Sequence, residues 1–277
     1  MTRGLQAALA GLALSSVSAA HSQDIQPDRD TSARESAPRI TGRSAPPAVL
    51  AILAHPDDEI TIAPILARIA REGGDVTLIY ATSGDAGPGS SGLDDKAEIA
   101  KLREQEGRCA AFALGLEDPI FWRLGDGTLG TLSRMPESAA KQALARIQEA
   151  IAEAKPKVIM TWGPDGGYGH SDHRMISALV TQVVSGLAAD RPELLYAAFP
   201  RVEGDALPGF ESWTTTSSDL ITDTIRYRPP DLDATEGAMS CYESQFPLPA
   251  RQGLVRLLHG QVWQGKVHFR QAFPKPR

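Results

Sequence analysis

The chain has 277 residues, 42% hydrophobic and 22% charged, which is the ordinary composition of a soluble globular protein and room for one large α/β domain or two small ones. Its formal net charge of −6 gives no basic footprint, which argues against nucleic acid as a main partner. Aromatic content is low at 6%, and the four tryptophans serve equally well as sugar platforms or as core.

The chain opens on MTRGLQAALAGLALSSVSAAHSQ. Arg3 supplies a positive start, Leu5 to Val17 is apolar, and Ser18-Ala19-Ala20 offers a small-residue cleavage site. The run is too short to span a bilayer, so a secretory signal peptide over residues 1–20 is the better reading than an amphipathic helix of a cytosolic protein. An exported mature protein, periplasmic or secreted and without a membrane span, is therefore expected. Residues 21–46 are polar, charged and broken by prolines, as in a flexible linker. One domain over 47–277 is expected to follow.

Within that domain, 48–54 (AVLAILA) is a continuous apolar run suited to a strand buried on both faces. Residues 61–74 have helical spacing and stop on a glycine pair, and 75–82 is the next strand. A glycine-rich loop (83–95) leads into a helix over 96–114 and a short strand at 120–122. A helix over 137–153, a strand at 157–162 (KVIMTW), a helix over 173–188 and a strand at 193–199 complete the alternation. This order predicts an α/β fold, a Rossmann-like, mostly parallel sheet with helices on both faces. Beyond Pro200 the pattern weakens to a small C-terminal β/α extension, with β character near 212–229 and a helical portion over 239–258. Cys109 and Cys241 are compatible with one disulfide in an oxidising compartment, although Cys109 also suits a buried helix face, and the spacing leaves their pairing open.

Two polar clusters stand at the carboxyl ends of predicted strands, where open α/β sheets bind ligands. HPDDE (55–59) follows the first strand and GPDGGYGHSDH (163–173) follows KVIMTW. His55, Asp58 and His173 make two imidazoles and a carboxylate, a set suited to a catalytic zinc with one position left for water. Asp57 lies between two of these ligands, where an acid accepts the proton of an attacking water. His170, held protonated by a carboxylate, would stabilise an oxyanion, and Asp172 would orient one of the imidazoles.

These motifs resemble the LmbE/PIG-L family of zinc-dependent deacetylases, which act on N-acetylglucosamine units. The resemblance runs over about 47–250 and is carried by AHPDDE (54–59) and GHSDH (169–173), with support from TSGDAG, REQEGRCAAFALG, GDG and YESQF. It implies zinc on His55, Asp58 and His173, Asp57 as general base and His170 beside the oxyanion. It further implies that Tyr168, Arg103 and Asp126 face an N-acetylated sugar or glycoconjugate. Ferrous iron suits the same ligands. The chain departs from the family at Ala63-Pro64 and Ser171, neither of which is a proposed ligand. Three other readings compete: a zinc amidase for another amide, an inactive exported sugar- or metal-binding protein, and a non-haem iron oxygenase. His-x-x-Asp spacing and the parallel α/β pattern argue against the last.

Overall fold

A computed structural model describes residues 46–188, 191–202 and 211–273. The expected leader (1–20), and the expected linker up to residue 45, lie outside these residues. Among the described residues no helix is long and apolar enough to cross a membrane.

The apolar runs form strands β1 (Val49–Leu53), β2 (Val76–Tyr80), β4 (Val158–Thr161) and β5 (Glu193–Ala198), with a two-residue β3 (Ile120–Phe121). Every residue of β1 and β4 is buried, as a strand covered on both faces requires. Intervening helices are α1 (Ala63–Arg71), α2 (Lys96–Ala113), α3 (Ala139–Ala154) and α4 (Ser171–Ser185). Asp95 caps α2 by accepting from the main-chain N–H of Ala97 and Glu98, and Pro64 sits harmlessly in the first turn of α1. The C-terminal part adds β6 (Asp223–Arg226), α5 (Pro229–Ser240), α6 (Leu248–Leu257), a π turn over Leu258–Trp263, and β7 (Lys266–Gln271).

All seven strands join one sheet in the order β3-β2-β1-β4-β5-β7-β6. The first five are parallel, and β7 pairs antiparallel with both β5 and β6. Helices α1, α2 and α5 pack together, and α3 packs with α4, so the helices form two groups. The mostly parallel sheet agrees with the sequence reading. The C-terminal extension differs in detail: instead of one helical portion over 239–258 there are two helices parted by Cys241–Pro247, and β7 inserts between β5 and β6.

The chain reverses direction across the sheet between β1 and β4, the neighbouring strands at its centre. Their carboxyl ends mark the switch point of the sheet, the crevice position at which this topology binds ligands. Both polar clusters are there. Cys109 of α2 and Cys241, just after α5, are joined by a disulfide with Cα atoms 5.8 Å apart, which ties the C-terminal part to the parallel core.

Candidate active site

His55 leaves β1 directly, and Asp58 begins a short 3-10 turn over Asp58–Thr61 that folds its carboxylate back toward the strand end. Asp58 Oδ2 accepts the main-chain N–H of Ala54 (2.9 Å) and His55 (3.0 Å) and the Trp162 indole N–H (2.9 Å). Its other oxygen, Oδ1, is left to face His173 Nε2 at 3.0 Å and His55 Nδ1 at 3.8 Å. Those two ring nitrogens are 3.2 Å apart.

The outer nitrogen of each imidazole faces an oxygen acceptor. His173 Nδ1 is 3.1 Å from the Gly166 carbonyl, which only accepts, so this nitrogen carries the proton and Nε2 presents its lone pair inward. Gly166 has φ of +73°, and a Cβ there would meet Arg174 at 2.7 Å, so glycine suits the turn that delivers this carbonyl. His55 Nε2 lies 3.0 Å from Asp126 Oδ1 and 3.5 Å from Asp172 Oδ2, which draws its proton outward and leaves the Nδ1 lone pair inward. The Trp162 ring stacks on His173 with centroids 4.3 Å apart, fixing the imidazole plane.

Three lone-pair donors thus converge with edges of 3.0, 3.2 and 3.8 Å. Ligands on a tetrahedral zinc are separated by about 3.4 Å, from metal–ligand bonds of ~2.1 Å. Without a cation these donors repel one another, so the donor set fits a metal ion. Two overlapping groups of possible ligands extend the cluster, His55 with His170 and His173, and His55 with Asp126 and Asp172.

The electrostatics make these groups strongly basic or strongly anionic, so a proton and a metal ion compete for the same donors. Burial would raise the Asp58 carboxyl, but His173 and His55 outweigh it and hold it well below the usual range. Burial opposes charge on His55, yet the carboxylates of Asp126, Asp172 and Asp58 lift its pKa well above the ordinary imidazole value. Asp126, against the effect of burial, is held down at about 2 chiefly by His55.

Asp57 is half-buried and has φ of +100°, a conformation that costs a non-glycine residue on the order of 1–3 kcal/mol. Arg103 Nη2 donates to Asp57 Oδ2 (2.9 Å) and to the Pro56 carbonyl (2.6 Å), while Nη1 donates to the Gly84 carbonyl (3.1 Å). Burial pushes Asp57 up to about 7; Arg103 opposes the rise and Asp58 adds to it. On the other side of the turn Glu59 is fully buried, accepting from Tyr80 (2.7 Å) and Tyr242 (2.5 Å), and its own pKa is pushed up to about 7 by burial.

His170 precedes α4, and its Nδ1 accepts the Asp172 main-chain N–H at 3.2 Å. Its proton therefore sits on Nε2. Burial, together with the nearby His55 and His173, lowers its pKa to about 4. Its ring packs edge-on to His55 with centroids 4.7 Å apart, and Tyr168 lies edge-on to His173 at 5.2 Å. Burial, reinforced by Asp58 and Asp57, keeps the half-buried Tyr168 phenol protonated.

The crevice therefore gathers His55, Asp57, Asp58, Asp126, Tyr168, His170, Asp172, His173 and Arg103, but three of them, His170, Asp126 and Arg103, sit differently from expectation. His170 has a main-chain N–H rather than a carboxylate on Nδ1, so it is a neutral donor instead of an imidazolium. Asp172, in the place of an orienting acid, faces His55 at 3.5 Å and accepts from Gly127 N–H at 2.7 Å. Asp126 spends one oxygen near His55 and the other on the Ala86 N–H (3.2 Å), rather than being free for a sugar hydroxyl. Arg103 is buried and grips the HPDD turn instead of reaching outward, because Gly84 and Gly87 leave room for its guanidinium to lie across the loop. Sequence reasoning gave no role to Trp162, Glu59 or Tyr242; the only sign of the last was its place in YESQF.

Residues 50–184 match the family described as PIG-L: GlcNAc-PI de-N-acetylase. The chain carries a PIG-L-family domain. A relative from Rhodococcus erythropolis, 1D-myo-inositol 2-acetamido-2-deoxy-alpha-D-glucopyranoside deacetylase, is 35% identical over 190 residues, covering 61% of this chain and 60% of the relative's length. Among solved structures, the PIG-L domain and its extension resemble GalB, the 4-carboxy-2-hydroxymuconate hydratase of Pseudomonas putida KT2440 (TM-score 0.61, 17% identity, 83% of this chain and 98% of that one). They also resemble N,N'-diacetylchitobiose deacetylase of Pyrococcus horikoshii (TM-score 0.57, 18% identity, 81% and 83%). At such identities the likeness is one of fold, and the fold accommodates both a hydratase and a deacetylase.

Proposed function

We propose that this protein is an exported, metal-dependent hydrolase that removes the N-acetyl group from an N-acetylglucosamine-type sugar or glycoconjugate. The observation that carries the reading is the convergence of His55 Nδ1, Asp58 Oδ1 and His173 Nε2, whose lone pairs face one another within 3.8 Å. Nitrogen and oxygen donors of this kind suit zinc, and ferrous iron is accommodated by the same set. Bound there, the cation supplies Lewis acidity toward an acyl carbonyl and lowers the pKa of water.

The chain's own groups account for the proton movements. Asp57, raised to about 7 and half-open to the crevice, takes the proton of the attacking water and returns it to the departing amine. The water oxygen bonds to the acyl carbon, the C–N bond breaks, and acetate and a free amine result. His170 donates Nε2–H to the carbonyl oxygen as negative charge develops on it, and does so as a neutral imidazole. Tyr168, protonated and half-buried beside both histidines, is the second donor at the mouth. Asp126 and Asp172 hold His55, and Arg103 holds Asp57, so recognition of the sugar falls to other residues of the rim.

The family match and the deacetylase relative support an N-acetylated amino sugar as substrate. Export is supported by the leader-like first 20 residues and by the Cys109–Cys241 disulfide, a bond that persists in oxidising compartments. The test is acetate release by the zinc- or iron-loaded protein from N-acetylglucosamine, N,N'-diacetylchitobiose and an N-acetylglucosaminyl-inositol. Acetate and free amine in equal amounts from at least one of them is expected. Absence of acetate from the whole panel by metal-loaded protein would contradict it.

A further inference from the structure

The segment Cys241–Phe246 lies outside the stretch matched to the family, yet it is bonded into the HPDDE turn. Tyr242 is fully buried and donates its hydroxyl to Glu59 Oε1 at 2.5 Å. Glu59 Oε2 accepts the Tyr80 hydroxyl at 2.7 Å and the main-chain N–H of Asp57 at 3.1 Å. A continuous chain of hydrogen bonds therefore runs from the C-terminal part of the protein to the backbone of Asp57.

That backbone needs holding. At φ of +100° Asp57 is in a conformation that L residues keep only where their surroundings impose it. Arg103 grips the side chain, and Glu59 grips the peptide N–H. If the backbone relaxed to negative φ, the carboxylate would swing away from the ligand cluster. We propose that Tyr242, acting through Glu59, is a positioning residue that keeps Asp57 directed into the crevice. This rests on the reading of Asp57 as the base.

The segment around Tyr242 is anchored independently of Glu59. Ser244 donates its main-chain N–H and its hydroxyl to Glu106, both at 2.7 Å, and Cys241 is bonded to Cys109. Tyr242 thus approaches Glu59 from a fixed point on α2. Its ring alone would fill the core as phenylalanine does, so the informative group is the hydroxyl, tolerated at full burial because it has an acceptor.

Tyr242→Phe and Glu59→Gln in the full chain separate positioning from packing. Outer partners of this kind are worth about 10–100-fold, so kcat on whichever N-acetylated sugar the wild type turns over should fall by that factor. KM and metal content should stay within about two-fold of wild type at a temperature where each variant is folded, because neither change touches a ligand or the rim. Amide hydrogen exchange at Asp57, followed without substrate, should speed up by about ten-fold or more as its acceptor loosens. If the wild type proves to have no deacetylase activity, the proposed function fails while the exchange measurement still decides this inference. Unchanged Asp57 exchange in both variants overturns it, whether or not the rate falls. Glu59→Gln decides the matter alone should Tyr242→Phe not fold.

Discussion

Glu104 shows how single charges brace the ground beneath the site. It accepts from the Ser83 hydroxyl (2.7 Å) and, through both oxygens, from Arg123 (2.7 and 2.9 Å), joining α2 to the loops after β2 and β3. Arg123 holds its pKa at about 2 against the effect of burial. A carboxyl depressed on folding stabilises the protein above its unfolded pKa of about 4.5, and that contribution is lost as pH falls toward 2. Arg123 is exposed, so solvent screens the pair and its worth is discounted to about 1–2 kcal/mol. Glu104→Gln should therefore lower unfolding free energy by that amount at pH 7, and the difference from wild type should shrink toward zero near pH 2. Denaturant titrations at both pH values check this; an equal deficit at both would show that the effect is not electrostatic.

At the scale of elements, the disulfide between α2 and the end of α5 closes a loop with a sequence separation of 132 residues. Loops of this length give a disulfide about 2–5 kcal/mol through the entropy of the unfolded chain. The Cys109→Ser, Cys241→Ser pair should unfold at clearly lower denaturant concentration, and wild type under reducing conditions should match it. Equal midpoints would contradict the structural role. The elements differ in how far the chain alone revealed them. β1 and β4 were legible because strands covered on both faces are uninterrupted apolar runs. β7 (KVHFRQ) was missed because it alternates with charged residues and follows a helical stretch, so only its partners β5 and β6 define it. The start of α5 was missed because Pro229-Pro230 reads as a breaker, although proline suits a first helical turn. His55, Asp58 and His173 could be read from motif spacing at two strand ends. The grips on them could not: Asp126 reaches His55, and Tyr242 reaches Glu59, only once distant loops are folded together.

For the whole molecule, the parallel sheet brings the ends of β1 and β4 together, and the C-terminal part is fastened to the turn after β1 through Tyr242 and to α2 through Ser244 and the disulfide. The proposed export predicts that N-terminal sequencing of the protein recovered from outside the cytoplasm finds a chain starting near Ala20 or His21; an intact Met1 would contradict it. The central claim is that a cation held by His55, Asp58 and His173 and a separate base, Asp57, together hydrolyse an N-acetyl group. Asp57→Asn keeps the size of the side chain and removes its capacity to accept a proton, along with its charge toward Arg103. Metal content and turnover measured on the same Asp57→Asn preparation test the claim most directly. Full metal content with kcat lower by about 10²–10⁴-fold is the expected result. Turnover near the wild-type rate, or loss of the metal with the base, would contradict it.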